Sequence, residues 1–255
     1  HVLQACRCVD SVRAVVCISS DKCYEPREQA CSEADPLGGP DPYSASKGCA
    51  ELVTSAYRRS YFPLQDYGSR HNLLLASARA GNVLGGGDWG PDRLVPDLMR
   101  AAAAGQTAGI RNPRSVRPWQ HVLEPLSGYL LLGQCLLQGR HDLARAWNFG
   151  PSCEQEIPVQ ELARMLQSSW ARVSVAYSRE SDAPAEAGLL RLDSSRARRH
   201  LGWIPVWDLH TAASETARWY RSYETEGAVL SRQQLTEYMR DAKRIGAVWT
   251  RGGED

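Results

Sequence analysis

Lysine is scarce in this 255-residue chain, which carries three against 27 arginines. A lysine is therefore expected mainly where a compact ammonium does what a planar guanidinium cannot. It can lower a neighbouring phenol's pKa, or lose its own proton when buried. Two of the three, Lys22 and Lys47, fall in one short stretch. Long apolar runs are absent too, and none approaches the roughly 20 residues that cross a bilayer. Charge of one sign is lacking: a net +1 gives no bulk attraction to nucleic acid or to an anionic membrane, so neither is an expected partner. The eight cysteines include no Cys-x-x-Cys, and the six histidines show no zinc-ligand spacing. No metal is expected, and the cysteines read as reduced small hydrophobes of a cytoplasmic protein.

What is there is an alternation of strand and helix. Residues 12–19 form a short apolar, β-branched run, predicted to be a parallel strand buried on both faces and ending in small polar residues. A Pro/Gly-rich loop over 25–42 precedes a helix over 43–60, with Ala50, Val53 and Tyr57 on its apolar face. A second buried strand is predicted over 73–79, then a glycine-rich segment and a helix over 93–104. Further on, 105–112 gives a turn and strand, 121–137 a long apolar helix, and 146–150 a third buried strand. An amphipathic helix over 159–170 follows, with short strands over 173–177 and 189–192. A helix over 194–201 closes at Gly202, and Asp208 caps a last helix reaching Tyr223. The tail over 225–255 is charged, with helix expected only over 232–244. This alternation argues for an α/β protein with a parallel sheet.

Gly85-Gly86-Gly87-Asp88-Trp89-Gly90 formally matches G-x-G-x-x-G after a strand. The dinucleotide fingerprint also needs an acid about twenty positions on. That region reads Thr107-Ala108-Gly109-Ile110-Arg111, so a substrate-side loop is the better expectation. The chain opens at His1, in what reads as the end of a helix. A pyrophosphate-binding loop, if the protein uses a dinucleotide, is expected upstream.

Tyr43 and Lys47 are four residues apart on one predicted helix, which puts them on one face. The ammonium stabilises a phenolate, so the tyrosine can take a proton from a substrate hydroxyl near neutral pH. The pair gains specificity from Ser20, which can share that hydroxyl, with Asp21 and Lys22 beside it.

Four strings then resemble the CDP-glucose 4,6-dehydratase family of extended short-chain dehydrogenases/reductases. They are Ser19-Ser-Asp-Lys-Cys-Tyr24, Asp35-Pro-Leu-Gly-Gly-Pro-Asp-Pro-Tyr43-Ser-Ala-Ser-Lys-Gly-Cys-Ala-Glu51, Ala78-Arg-Ala-Gly-Asn-Val-Leu-Gly-Gly-Gly-Asp-Trp89 and Arg117-Pro-Trp-Gln-His-Val-Leu-Glu-Pro-Leu-Ser-Gly128. The resemblance implies an incomplete Rossmann-like, doubly wound parallel sheet with a smaller C-terminal α/β substrate domain. Residues 1–90 and 120–150 would form the C-terminal half of the NAD-binding domain, 91–119 and 151–224 the sugar-nucleotide domain, and 225–255 a charged tail.

The implied reaction is NAD-dependent: oxidation of the sugar at C4, loss of water across C5 and C6, and reduction at C6. Tyr43, with Ser20 and Lys47, would take the 4-hydroxyl proton, and Tyr43 and Lys47 would also hold the cofactor. Asp21 would protonate the departing hydroxyl and Lys22 would abstract at C5. Asn82, Leu94, Val95, Arg111 and Arg117 would bind the nucleotide sugar, the arginine fork pairing with the diphosphate. The full-length form is expected to be a homo-oligomer. Two departures stand out: Ala185 where the family carries a histidine, and inserted residues over 64–70. Sugar-nucleotide 4-epimerisation stays open as an alternative, needing Tyr43 and Lys47 but not the Asp-Lys pair. So does an inactive, truncated homologue serving as a binding or interaction module.

Overall fold

In the computed structural model, residues 1–151, 156–177 and 191–251 are described. The chain begins with α1 (Val2–Arg7), β1 (Ala14–Ile18), α2 (Pro42–Ser60), β2 (Leu74–Ala80) and β3 (Val83–Leu84). Next come α3 (Leu94–Ala103), β4 (Thr107–Ile110), β5 (Val116–Pro118), β6 (Gln120–His121) and α4 (Leu123–Leu137). After these lie β7 (Ala146–Phe149), β8 (Glu156–Pro158), α5 (Val159–Ser169), β9 (Ser174–Tyr177), α6 (Leu209–Glu226) and α7 (Ser231–Arg244). They fall into two compact units, one of His1–Gly81, Pro125–Gly150 and Leu190–Trp203, the other of Asn82–Glu124, Pro151–Leu189 and Ile204–Asp255.

The first unit is built on a parallel sheet of order β1-β2-β7, with Val16 opposite Ala76 and Ala78 opposite Trp147. β2 lies in the middle and is buried along nearly its whole length, as its Leu-Leu-Ala-Ser-Ala run demands. β1 departs from the expected two-sided burial: it is the edge among the described strands, half-buried, with Ile18 exposed. On one side Phe62, Leu73 and Leu75 pack with Leu3, Cys6, Val15, Cys17 and Tyr57. α4 meets β7 closely, because a Cβ on Gly128 would lie 2.3 Å from the Phe149 ring. The segment after Leu190 returns to this unit. Arg196 donates to the Ala146 carbonyl at 3.2 Å, and Trp203 packs edge-on against Phe149. Its helix ends in a wider π-helical turn, Ala197–Leu201, which Gly202 stops at φ 67°.

α2 corrects the expected apolar face. Ser44, Gly48, Glu51 and Thr54 are the buried positions, while Val53 and Leu52 are exposed. Gly48 explains the choice: a Cβ there would stand 3.3 Å from Gly38 N and 3.4 Å from the Cys23 carbonyl, so backbone approaches backbone.

The second unit holds a parallel pair β4-β9, an antiparallel pair β5-β8 and a short parallel pair β3-β6. β6 occupies the start of the helix expected from residue 121, which begins instead at Leu123. α5 buries Val159, Leu162, Ala163 and Leu166, the i, i+3, i+4, i+7 stripe of an amphipathic helix. That stripe meets Ala212, Ala213, Ala217, Trp219 and Tyr220 of α6 and Leu98, Met99 and Ala102 of α3 in one core. Asp208 caps α6, accepting from Thr211 N at 2.8 Å, and Gly227 ends it at φ 68°.

The C-terminal region is more than a charged tail. α7 buries Gln234, Tyr238 and Ala242, positions i, i+4 and i+8. The Tyr238 hydroxyl donates to Glu124 Oε2 at 3.0 Å, and Trp207 Nε1 donates to Asp241 at 3.0 Å. Among the described residues, no helix is long and apolar enough to cross a membrane.

Candidate functional site

β1 delivers the chain into a single 3-10 turn, Asp21–Cys23. Ser20 caps it in extended conformation, its Oγ accepting from Lys22 N at 3.2 Å and donating to Asp21 Oδ1 at 2.9 Å. Asp21 is 5% exposed and Lys22 half-buried, so a carboxyl and an amino side chain sit side by side on a fixed turn. Cys23 is inert, because burial pushes its thiol up to about 12.

The facing helix starts where Asp41 accepts from Ser44 N at 3.0 Å and Ser44 Oγ at 2.6 Å, with Pro42 in the first turn. Those bonds hold the Asp41 carboxyl below its ordinary range. One residue on, Tyr43 is 56% exposed, and Lys47 brings its ammonium 5.3 Å from the tyrosine ring centroid. Ser20, Asp21, Lys22, Tyr43 and Lys47 all belong to the first unit. Close approach at Gly48 sets the helix of the last two against the turn of the first three.

The residues expected to bind substrate belong to the second unit. Asn82 accepts at its carbonyl from Gln120 N at 3.1 Å. Val95 is buried in that unit's core, so of the apolar pair only Leu94 keeps surface to offer. Arg111 is exposed just beyond β4. Arg117 lies on β5, half-buried, with one guanidinium N–H on the Val116 carbonyl at 3.0 Å. The segment with Ala185 lies outside the described residues.

The glycine run 85–87 is no phosphate cradle. A Cβ on Gly86 would lie 2.0 Å from Trp219 Cγ, so an indole already fills the space above it. His121 is buried in the second unit. Burial lowers its pKa to about 4, and Nδ1 accepts from Leu123 N at 3.3 Å.

Beneath the turn lies a polar cluster that sequence reasoning left unassigned. Arg79 donates through Nη2 to Glu51 Oε2 at 2.8 Å and through Nη1 to the Tyr24 hydroxyl. Glu51 also accepts from Ser77 Oγ at 2.7 Å and from Ser19 Oγ. Tyr24 donates in turn to Asn148 Oδ1 at 2.8 Å, and Asn148 Nδ2 bonds the Cys31 carbonyl at 2.8 Å. Burial raises the Glu51 pKa, but the Arg79 fork with Ser19 and Ser77 outweighs it and leaves the carboxyl below its ordinary range. A signal was present: a charged Arg79 in an otherwise apolar central strand requires a buried partner.

A parallel sheet, a serine-ended strand and a helix bearing Tyr43 and Lys47 one turn apart define a Rossmann-fold protein of the extended short-chain dehydrogenase/reductase type. The structure is similar to dTDP-glucose 4,6-dehydratase from Bacillus anthracis in complex with NAD, at TM-score 0.71 and 18% identity over 88% of this chain and 67% of that one. It is also similar to the dTDP-glucose 4,6-dehydratase of Streptomyces venezuelae with NAD bound, at TM-score 0.68 and 25% identity, covering 89% of this chain and 64% of that one. In sequence the chain is 42% identical over 243 residues to CDP-glucose 4,6-dehydratase of Salmonella typhimurium, covering 94% of this chain and 67% of that protein. The profile of the GDP-mannose 4,6 dehydratase family matches residues 1–216. The chain belongs to that family. It spans about two thirds of the length of these relatives.

Proposed function

We propose that this chain carries the acid–base machinery of a sugar-nucleotide 4,6-dehydratase acting on CDP-glucose. The observation that supports the reading most is the pairing of two constellations in one unit. One is the Ser20-Asp21-Lys22 turn, and the other is Tyr43 and Lys47 on the helix packed against it.

The exposed Tyr43 hydroxyl and the Lys47 ammonium suit the ribose hydroxyls of a nicotinamide dinucleotide. The Gly85–Gly87 run is covered by Trp219, and Tyr43 and Lys47 are the groups that would hold such a cofactor. When bound, NAD⁺ supplies hydride acceptance at C4 of the sugar and hydride return at C6. The protein's own part is proton management. Tyr43, with Lys47 beside its ring, takes the proton of the 4-hydroxyl, and Ser20 orients that hydroxyl. The resulting 4-ketone acidifies the C5 hydrogen, which Lys22 removes as a proton and hands back to C5 as C6 is reduced. Asp21 gives a proton to the departing 6-hydroxyl, so water leaves. Asn82, Leu94, Arg111 and Arg117 hold the nucleotide end, the arginines serving the diphosphate. Within this reading the expected product is CDP-4-keto-6-deoxyglucose, and the protein acts in the cytoplasm.

A homo-oligomer is part of the proposal. Leu126, Leu130 and Leu137 of α4 are exposed at i, i+4 and i+11, a single apolar stripe, and Leu52 and Val53 of α2 are exposed as well.

The test is incubation of the protein with CDP-glucose and NAD⁺, following the 4-keto product by its absorbance in alkali. Turnover that disappears in Tyr43→Phe and in Lys22→Ala supports the dehydratase. A product epimerised at C4 with its oxygen at C6 intact would move the reading to an epimerase.

A further inference from the structure

The geometry points to Glu51 and Arg79 as a positioning pair that sets the acid–base turn against the Tyr43 helix. The inference rests on the reading above of Ser20, Asp21, Lys22, Tyr43 and Lys47 as the reacting groups.

Three connections converge on this one pair. Glu51 follows Tyr43 and Lys47 at i+8 and i+4, so the three share a strip of α2 that drifts by about 40° per step. Its Oε1 accepts from the hydroxyl of Ser19, which follows β1 and immediately precedes Ser20. Its Oε2 receives Arg79 Nη2 and Ser77 Oγ from β2. The other arm of Arg79 reaches the hydroxyl of Tyr24, which follows the turn at once. Both ends of the segment carrying Ser20, Asp21 and Lys22 are thus tied to one ion pair, and its carboxylate stands on the helix of Tyr43 and Lys47.

The pair is well suited to hold a position. Its side chains are only 2% and 3% exposed, so water does not compete for the bonds. The planar guanidinium serves both partners at once, a geometry that a lysine ammonium does not reproduce. The opposite charges also cancel beneath the site, so no net charge is added beside Lys22 and Lys47. Proton transfers require donor and acceptor within hydrogen-bond reach, and a displacement of about 1 Å can lower a rate roughly a hundredfold.

The test uses the full chain and two substitutions that each remove one hydroxyl and keep the ion pair, Ser19→Ala and Tyr24→Phe. Glu51→Gln is added as the stronger change. Two readouts run together. The first is kcat and KM for CDP-glucose with NAD⁺. The second is the NMR spectrum of the protein after reductive ¹³C-methylation, which labels only Lys22, Lys47, Lys243 and the amino terminus, with Lys243→Arg for assignment.

The expected result is a kcat lowered about 10- to 100-fold with KM changed by less than about twofold. The Lys22 and Lys47 signals move while Lys243 stays in place. Variants that merely melt at lower temperature, with kcat and lysine signals as in the parent, would overturn the inference. If the parent itself does not turn over CDP-glucose, the lysine signals decide alone. Movement then keeps the positioning role and removes the dehydratase reading, and no movement removes the positioning role.

Discussion

Trp219 lies over Gly86 so closely that a single methyl on the glycine would fall 2.0 Å from its Cγ. The indole is held there by its Nε1–H bond to Ser231 Oγ at 2.9 Å and by stacking on Tyr223 at 5.4 Å. Glycine at this position therefore serves packing between a loop and α6. Gly86→Ala is expected to destabilise the protein by about 1–3 kcal/mol, as overpacking does. It should also shift the tryptophan fluorescence of the folded state. Urea unfolding followed by that fluorescence checks both, and an unchanged midpoint would refute the packing role.

Removing one half of the Glu51–Arg79 pair has a different cost. Arg79→Leu would leave a buried carboxylate facing Ser19 and Ser77 alone. A loss of about 3–5 kcal/mol is expected, read from chemical denaturation. The double change Glu51→Leu with Arg79→Leu should recover part of that loss, since no unpaired charge remains.

Asp21 should act on turnover and not on substrate binding. Asp21→Asn keeps a hydrogen-bond partner for Ser20 but cannot give a proton to a leaving hydroxyl. A fall of about 10²–10⁴-fold in turnover is expected, typical for loss of an acid–base group, with KM for CDP-glucose nearly unchanged. Parallel losses in kcat and in substrate affinity would contradict a proton-transfer role.

Glu124 gives the fold a pH dependence. Burial raises its pKa to about 7 from the ordinary 4.5, against the lowering effect of bonds from Trp207 N, Val206 N and Tyr238. The folded chain thus keeps a proton that the unfolded chain releases. Its contribution to stability is full below about 4.5 and declines as pH rises through about 7. Melting temperatures of the parent and of Glu124→Gln between pH 5 and 8 check this, and parallel slopes would disprove it. The variant should also melt lower throughout, because its amide turns an N–H toward donors.

Arg117→Lys is expected to raise KM for the nucleotide sugar about tenfold and leave kcat within about threefold, as loss of a bidentate diphosphate contact would. Initial rates over a range of CDP-glucose concentrations decide it.

Much of this was legible in the residues themselves. The three parallel strands, the Asp208 cap and the Gly202 stop follow from local chemistry, where a short apolar run, a side-chain acceptor and a positive φ act within a few positions. The placing of Ser20, Asp21 and Lys22 after one strand, and of Tyr43 and Lys47 one turn apart on one helix, was legible for the same reason. The inward face of α2 was not. Hydrophobic periodicity favoured Val53, whereas the helix turns in Glu51, Ser44 and Gly48, because a charged partner and a close backbone wait on that side. At the end of the chain the helix over 232–244 was legible, but its burial was not: α7 is mostly polar, yet Tyr238 and Ala242 are buried.

By itself, then, the sequence determined the α/β class and the main helices and buried strands. Those depend on interactions between near neighbours in the chain. The tertiary structure decided which glycine is covered by Trp219, which helix face is buried, and that Ser19, Tyr24, Glu51 and Arg79 meet. Such contacts join residues tens of positions apart, and only the folded backbone brings a buried charge to its partner.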